Sequence, residues 1–287
     1  MRSAEYFAPA SVSEAVALLA QAGEAGRPLA GGTDLIVQMR GGRAKPAVIV
    51  DLKHIPELIG IREEAGGFLI GAATSAAELG EHEALSRAWP GVVEAANLIG
   101  STQVQGRASL GGNLCNASPA ADSVPAMVAA GATCIIEGPR GRRDLPVEAV
   151  QAGPGKTNLA PDEIIVAFRL PPRPARSGDA YLRLIPRTEM DIAVVGAGVN
   201  LTLDTEGTCI AARVSVGAVA PTTLLVEGAG AALVGSKLNE EALAGMESAI
   251  AAACRPISDK RGTADYRTRT ACVLARRATL IARERAE

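Results

Sequence analysis

The sequence predicts an α+β fold of two domains. Three observations carry this reading. Helix-spaced and strand-like apolar runs alternate up to residue 177, and a proline cluster, Pro171-Pro172-Arg173-Pro174, followed by Ser177-Gly178, then interrupts the chain. Beyond it, two long Val/Ile/Ala runs precede two helix-length segments. A chain of 287 residues exceeds the roughly 100–200 residues of one ordinary domain. The expected limits are an N-terminal domain over 1–177, in two lobes of about 1–55 and 56–177, and a C-terminal domain over 178–287.

Taken in order, Ser11 and Glu14 have capping-box spacing, and Val12, Ala15, Val16 and Leu19 repeat at helical intervals until Gly23. Arg27–Ala30 reads as a strand that breaks at Gly31-Gly32-Thr33-Asp34. Ala47–Leu52 and Phe68–Ala72 are β-rich, and Ser75 with Glu78 repeats the capping spacing ahead of a helix ending near Leu85. Pro90 suits the first turn of a helix over Gly91–Ile99, which gives way to a polar stretch, Gly100–Arg107. A glycine-rich loop is expected at Ser109–Asn113 and a turn at Ser118–Ser123. Val124–Ala130 should form a helix capped by Gly131, with strands at Thr133–Glu137 and Glu163–Leu170. Past the prolines, Ile192–Leu203 and Ile210–Val219 should pair antiparallel around the turn at Asp204–Gly207, and helices should close the chain at Asn239–Ala253 and Ala264–Ala286. The Arg residues of the last helix read as a solvated face.

Composition narrows the function classes. Apolar residues make up 48% and charged residues 21%, as in a globular protein, but aromatics are only 2%, too few for a platform that stacks bases or sugars. A net charge of −2 offers no basic field for a polyanion. The five cysteines (Cys115, Cys134, Cys209, Cys254 and Cys272) are never in a C-x-x-C pair, which argues against a zinc or iron–sulfur site. His54 and His82 are the only histidines, which leaves a His-based metal centre or a catalytic triad poorly supported. The first residues lack a signal-type apolar region and no membrane-spanning run occurs, so a cytoplasmic location is expected.

Two strings fail as nucleotide motifs. Gly155-Lys156-Thr157 resembles the end of a phosphate loop, but Val150 stands where that loop needs glycine. Gly196-Ala197-Gly198 and Gly228-Ala229-Gly230 each supply only the first two glycines of a dinucleotide fingerprint, and small-residue packing explains them better. Leu29-Ala30-Gly31-Gly32-Thr33-Asp34-Leu35-Ile36 is different, because adjacent glycines let successive backbone N–H groups approach a diphosphate, with the Thr33 hydroxyl beside them. Ser109-Leu110-Gly111-Gly112-Asn113 repeats the construction, so two such segments could grip a diphosphate from both sides.

Together, Ala30–Leu35, Arg107–Asn113 and Ala120–Ser123 resemble the FAD-binding medium subunits of the molybdenum hydroxylases, the xanthine dehydrogenase and carbon monoxide dehydrogenase family. The resemblance continues through Pro186–Ala193, Val216–Thr222 and Pro256–Gly262, and so covers nearly the whole chain. It implies a two-lobed FAD-binding domain of the PCMH type followed by a C-terminal domain of the CO dehydrogenase flavoprotein type.

By matching position, the resemblance assigns FAD contacts to Leu29, Ala30, Gly31, Gly32, Thr33, Asp34, Leu35 and Ile36, and to Ser109, Gly111, Gly112 and Asn113. Asp122 matches an acidic contact and Thr102 a further one, while Ile99 stands where some relatives place an aromatic ring beside the isoalloxazine. Ile165 matches a strand residue whose backbone meets the flavin ring, Arg183 replaces a lysine, and Ile192 is expected near the isoalloxazine. Cys115 is expected to be a packed thiol, and the chain lacks the cysteine-rich insertion of relatives with an extra cluster. No catalytic side chain and no metal ligand is expected here. The resemblance implies non-covalent FAD, and [2Fe–2S] clusters and molybdopterin on a small and a large partner subunit in a dimer of heterotrimers. NAD, a quinone or oxygen remains open as electron acceptor, and the oxidised substrate is read by another subunit. A self-contained flavin oxidase or reductase of the same architecture is the alternative, although Thr33 stands where covalent relatives would carry a histidine.

Overall fold

The computed structural model describes residues 4–287. The first lobe comprises β1 (Glu5–Phe7), α1 (Val12–Ala22), β2 (Gly26–Leu29), α2 (Leu35–Arg40) and β3 (Val48–Asp51). Its strands form a parallel sheet in the order β1-β3-β2. Ser11 caps α1 by accepting the Glu14 N–H at 3.2 Å, and the buried stripe Val12, Ala15, Val16 and Leu19 faces Val50, Leu52, Ile55 and Leu58. Ala73, Ile164 and Val166 of the second lobe complete that core, so the lobes share apolar burial.

The second lobe holds β4 (Ile61–Glu64), β5 (Gly67–Gly71), α3 (Ala76–Glu81), α4 (Glu83–Ala88), α5 (Pro90–Asn97), α6 (Thr102–Gln105), α7 (Leu110–Cys115) and α8 (Val124–Ala129). It continues with β6 (Thr133–Gly138), β7 (Gly141–Pro146), β8 (Gln151–Gly153), β9 (Lys156–Thr157) and β10 (Ile164–Leu170). An antiparallel sheet runs β4-β5-β10-β6-β7, while β8 and β9 make a separate hairpin. Trp89, Met127, Ile136 and Phe168 are fully buried between sheet and helices.

The C-terminal domain consists of β11 (Ser177–Leu184), β12 (Val195–Leu203), β13 (Cys209–Gly217), β14 (Leu224–Leu225), α9 (Glu227–Leu233), α10 (Glu240–Ala253) and α11 (Ala264–Ala286). Its antiparallel sheet is ordered β11-β12-β13-β14 and packs against the three helices. The expected pairing across Asp204–Gly207 is present, with Gly196 opposite Gly217 and Val199 opposite Val214. The fold is thus the expected two-domain α+β architecture.

Several local expectations change. The helix from Ser75 divides at His82, whose backbone is extended and whose Nδ1 accepts the Leu85 N–H at 3.1 Å, capping α4. The polar stretch 100–107 contains α6, and the glycine-rich segment at 109–113 is the start of α7 rather than a loop, because Ser109 Oγ accepts the Gly112 N–H at 3.1 Å. Strands β4 and β11 show no alternation of burial, and β7, which alternates only between exposed and half-buried residues, is a sheet edge rich in Arg. The basic residues of α11 are not all solvated: Arg267 is buried, donating to the Val194 carbonyl at 2.7 Å and to Asp259 at 2.7 Å.

The domains are joined by charge and close packing. The buried Asp179 carboxylate accepts the Gly91 N–H at 2.8 Å and an Arg173 N–H at 2.8 Å, and the Arg173 guanidinium lies 4.6 Å from the Trp89 ring centroid. Arg285 donates to the Asp179 carbonyl at 2.7 Å and pairs with Glu94. The glycines of β12 are packing residues, as expected: a Cβ at Gly198 would lie 2.6 Å from the Pro125 carbonyl oxygen. Likewise a Cβ at Gly178 would lie 1.8 Å from the Ala282 carbonyl oxygen, so β11 meets α11 backbone to backbone. Gly178→Ala is therefore expected to force sheet and helix apart and to destabilise the chain by about 1–3 kcal/mol, read as a lowered melting temperature.

Candidate functional site

A cavity of about 830 Å³ opens between the two N-terminal lobes. That is within the range of small-molecule and cofactor sites, roughly 300–1,000 Å³. One wall is the segment Leu29–Leu35, which leaves the parallel sheet at the end of β2 and turns into α2. Gly32 has φ +76°, a conformation that favours glycine, and it carries the chain through this turn. None of the backbone N–H groups from Gly31 to Leu35 donates to a protein acceptor among the described residues. Successive unpaired donors on a cavity wall suit an anion.

The opposing wall includes Gly111 and Gly112 of α7. These glycines differ from the first pair, because the Gly111 N–H is bonded to the Ala72 carbonyl at 3.0 Å and the Gly112 N–H to Ser109 Oγ. The two segments therefore do not offer equal sets of free donors. A Cβ at Gly111 would lie 2.5 Å from the Ala72 carbonyl oxygen, whereas one at Gly112 would approach only Ser109 Oγ, at 3.3 Å. Protein packing excludes a side chain at Gly111; at Gly112 a Cβ would press on the Ser109 hydroxyl alone, and this opening faces the cavity. The unpaired donors, this opening and the cavity volume fit an extended dinucleotide bearing a diphosphate.

Of the other expected site residues, Ile165 lines the cavity from β10. There β10 carries an irregularity: Ile165 pairs with Ile136 and Ala167 with Ile135, which leaves Val166 outside the register. Ser109 is buried beneath α7, and the Asn113 carboxamide oxygen accepts from Ser123 N at 3.0 Å and Oγ at 2.8 Å. Ile36 is exposed on α2, off the cavity wall. A second group lies around the buried Arg183 side chain, which pairs with Asp122 at 2.8 Å and donates to the Leu98 carbonyl at 2.6 Å. Next in the chain, Ile99 is buried in the second-lobe core, and Thr102 is exposed at the start of α6. The Met190 N–H reaches the Gly100 carbonyl at 3.4 Å, which brings the loop bearing the exposed Ile192 to the same place.

The cleft also shifts acidity. Protein around Asp34 strips away solvent and raises its carboxyl above the usual value, against a smaller opposing effect of Arg43. Asp122 is raised as well, by burial first; Arg183 opposes the shift and the charge of Asp34 adds to it, so the two carboxyls sense each other. Cys115 departs from expectation: its side chain is open to the cavity rather than packed, and the surrounding protein pushes the thiol up to about 12.

Sequence reasoning missed the hairpin residues Gly155–Thr157 and the pair Gln38 and Asn116, all on the cavity wall. Gln38 Nε2 donates to Asn116 Oδ1 at 2.8 Å, linking α2 to the end of α7. The turn signal Gly153-Pro154-Gly155 was the available clue to the hairpin.

Comparisons agree with this geometry. The family described as the FAD binding domain in molybdopterin dehydrogenase matches residues 2–173, and the CO dehydrogenase flavoprotein C-terminal domain matches 180–282. The carbon monoxide dehydrogenase medium chain of Afipia carboxidovorans is 38% identical over 285 residues, 99% of this chain and 98% of that protein. The xanthine dehydrogenase FAD-binding subunit of Escherichia coli O157:H7 is 34% identical, covering 92% of this chain and 90% of its own. Among solved structures, the cyanide-inactivated Cu,Mo-CO dehydrogenase matches with a TM-score of 0.95 at 38% identity, covering 98% of each chain. Quinoline 2-oxidoreductase from Pseudomonas putida 86 matches with a TM-score of 0.90 at 28% identity, covering 99% of this chain and 98% of that one. The cleft, the two-domain fold and these likenesses along the whole chain converge: the chain belongs to the family of FAD-binding medium subunits of the molybdenum hydroxylases.

Proposed function

We propose that this chain is the electron-transfer flavoprotein subunit of a heteromeric molybdenum hydroxylase. It holds FAD non-covalently between the lobes of residues 1–177, with residues 178–287 as its C-terminal domain. The unpaired run of N–H donors from Gly31 to Leu35, on the wall of the 830 Å³ cavity, carries this reading. Bound there, FAD would supply a redox centre able to accept electrons from [2Fe–2S] clusters of a small subunit and release them to NAD, a quinone or oxygen. A molybdopterin-bearing large subunit would oxidise the substrate, the whole forming a dimer of heterotrimers in the cytoplasm. No helix among the described residues is long and apolar enough to cross a membrane.

This chain's own residues then position and shield the cofactor. The first segment donates its N–H groups and the Thr33 hydroxyl to the diphosphate. The second contributes close approach at Gly112 and a scaffold of side-chain hydrogen bonds: Ser109 caps α7, and Asn113 holds the Ser123 turn beside Asp122. Asp122, oriented by Arg183, faces the flavin end together with Thr102 and Ile192, while Ile99 packs into the core beside them. Ile165 contributes strand backbone to the cavity wall, with Leu29 beside it. With threonine at position 33, no histidine in the first segment is available for a covalent flavin link.

The chain co-expressed with its molybdenum and iron–sulfur partners should copurify with them and release FAD on acid treatment; a colourless, solitary protein would refute the reading. Gly112→Val should abolish flavin retention while lowering the melting temperature of the flavin-free chain less than a side chain at Gly111 would, since its Cβ would meet only the Ser109 hydroxyl, at 3.3 Å, and no backbone. Gly31→Ala should lower both, because its Cβ would lie 1.7 Å from the Arg107 carbonyl oxygen. The raised carboxyl of Asp34 sets a pH dependence. A bound diphosphate adds negative charge nearby and raises that carboxyl further, so binding takes up protons and FAD affinity should rise as pH falls through the Asp34 range. Titrations across pH should show this slope in the unmodified chain and a flatter one in Asp34→Asn.

A further inference from the structure

Behind the first glycine segment lies a cluster that the cofactor reading does not use. Asp51, at the end of β3, is 2% exposed. Its carboxylate accepts the Tyr6 hydroxyl on one oxygen, and on the other the Lys53 ammonium at 2.6 Å and the Lys53 N–H at 3.0 Å. So fastened, the ammonium makes one further contact: it donates to the Ala30 carbonyl at 3.0 Å. The neighbouring Leu29 carbonyl accepts the Leu52 N–H at 2.9 Å, which ties the same turn of chain to the end of β3.

The Ala30–Gly31 peptide is trans. In a trans peptide the C=O and the following N–H point in opposite directions across one rigid plane. Holding the Ala30 oxygen therefore fixes the Gly31 N–H on the opposite side. Ala30 and Gly31 line the cavity and Lys53 does not, and the Gly31 N–H has no protein acceptor among the described residues. Glycine at position 31 makes this control necessary, because without a Cβ the peptide plane turns easily.

We propose that Lys53, braced by Asp51, is a positioning residue that locks the Ala30–Gly31 peptide with its N–H toward the bound diphosphate. The proposal rests on the assignment of the cavity to FAD. Lys53 touches no cofactor atom in this scheme; it removes the freedom of a donor that must already be aimed when the phosphate arrives. Asp51 keeps the ammonium from swinging into solvent.

The test uses the full chain stripped of flavin, titrated with FAD and with riboflavin by fluorescence, and with ADP by competition. Lys53→Met should weaken FAD and ADP alike, by about tenfold, as the Gly31 donor loses its fixed aim. Riboflavin, which has no diphosphate, should bind as before. Lys53→Arg should restore most of the affinity, and Asp51→Asn, which leaves the ammonium in place but loosened, should give a smaller loss of the same pattern. Should Lys53→Met fail to fold, the Asp51→Asn titrations decide. Unchanged FAD and ADP affinity in the variants, or equal losses for riboflavin, would overturn the proposal. If the unmodified chain binds neither FAD nor ADP, it is the assignment of the cavity that fails.

Discussion

The width of the cleft is set where Gly31 meets the backbone of Arg107. A Cβ at Gly31 would lie 1.7 Å from that carbonyl oxygen, so the two lobes touch with no side chain between them. The next residues of the second lobe are fixed in turn: Ala108 accepts the Ala76 N–H at 2.8 Å, and Ser75 and Ser109 form a bridge. That places α7, and with it Gly112, opposite the first segment. The shared core of α1, β3 and Ile164 keeps the lobes from sliding past one another. Any residue larger than glycine at position 31 would open the cleft at its narrowest line.

Charge does the corresponding work at the far side of the second lobe. Asp179 is buried and satisfied by Gly91, Arg173 and the approach of Arg285 to its backbone, so that removing one partner would strand a charge in the interface. The same strand, β11, presents Arg183 to Asp122 and to Leu98. Domain docking and the geometry of the Asp122 carboxylate thus share one strand. Through Arg183 the C-terminal domain holds Asp122 and the Leu98 carbonyl of the second lobe, with no residue of that domain in the cavity wall.

The sequence made legible what depends on near neighbours. Capping spacing at Ser11/Glu14 and Ser75/Glu78 is realised as N-cap hydrogen bonds of 3.2 Å in both places, and the apolar runs of β12 and β13 pair as their length and composition suggest. The first glycine segment could be located because paired glycines are a local signal. What distant contacts decide was hidden. Gly111 and Gly112 look alike in the sequence, but Ala72 occupies the space beside one of them only. The edge strand β7 carries Arg142, Arg143 and Asp144, whose ion pairs with Glu137, Glu57, Glu163 and Arg169 replace the apolar alternation that marks a strand. Lys53 gave no sign, since its role is defined by a carbonyl 23 positions away.

The reach of α11 back to β11 bears on the order of events during synthesis. The buried residues of the two N-terminal cores all lie before the end of β10, with the half-buried Leu225 alone reaching in from beyond it, so most of both cores can assemble once that strand leaves the ribosome. By contrast, β11 cannot be covered until α11 follows, and Arg285 bonds a carbonyl 106 residues earlier in the chain. The cleft can form while the C-terminal sheet still waits for its last helix. A nascent chain would then hold a finished cofactor cavity on one side and an unprotected, apolar sheet on the other, a stage at which chaperones or early cofactor loading would have most influence.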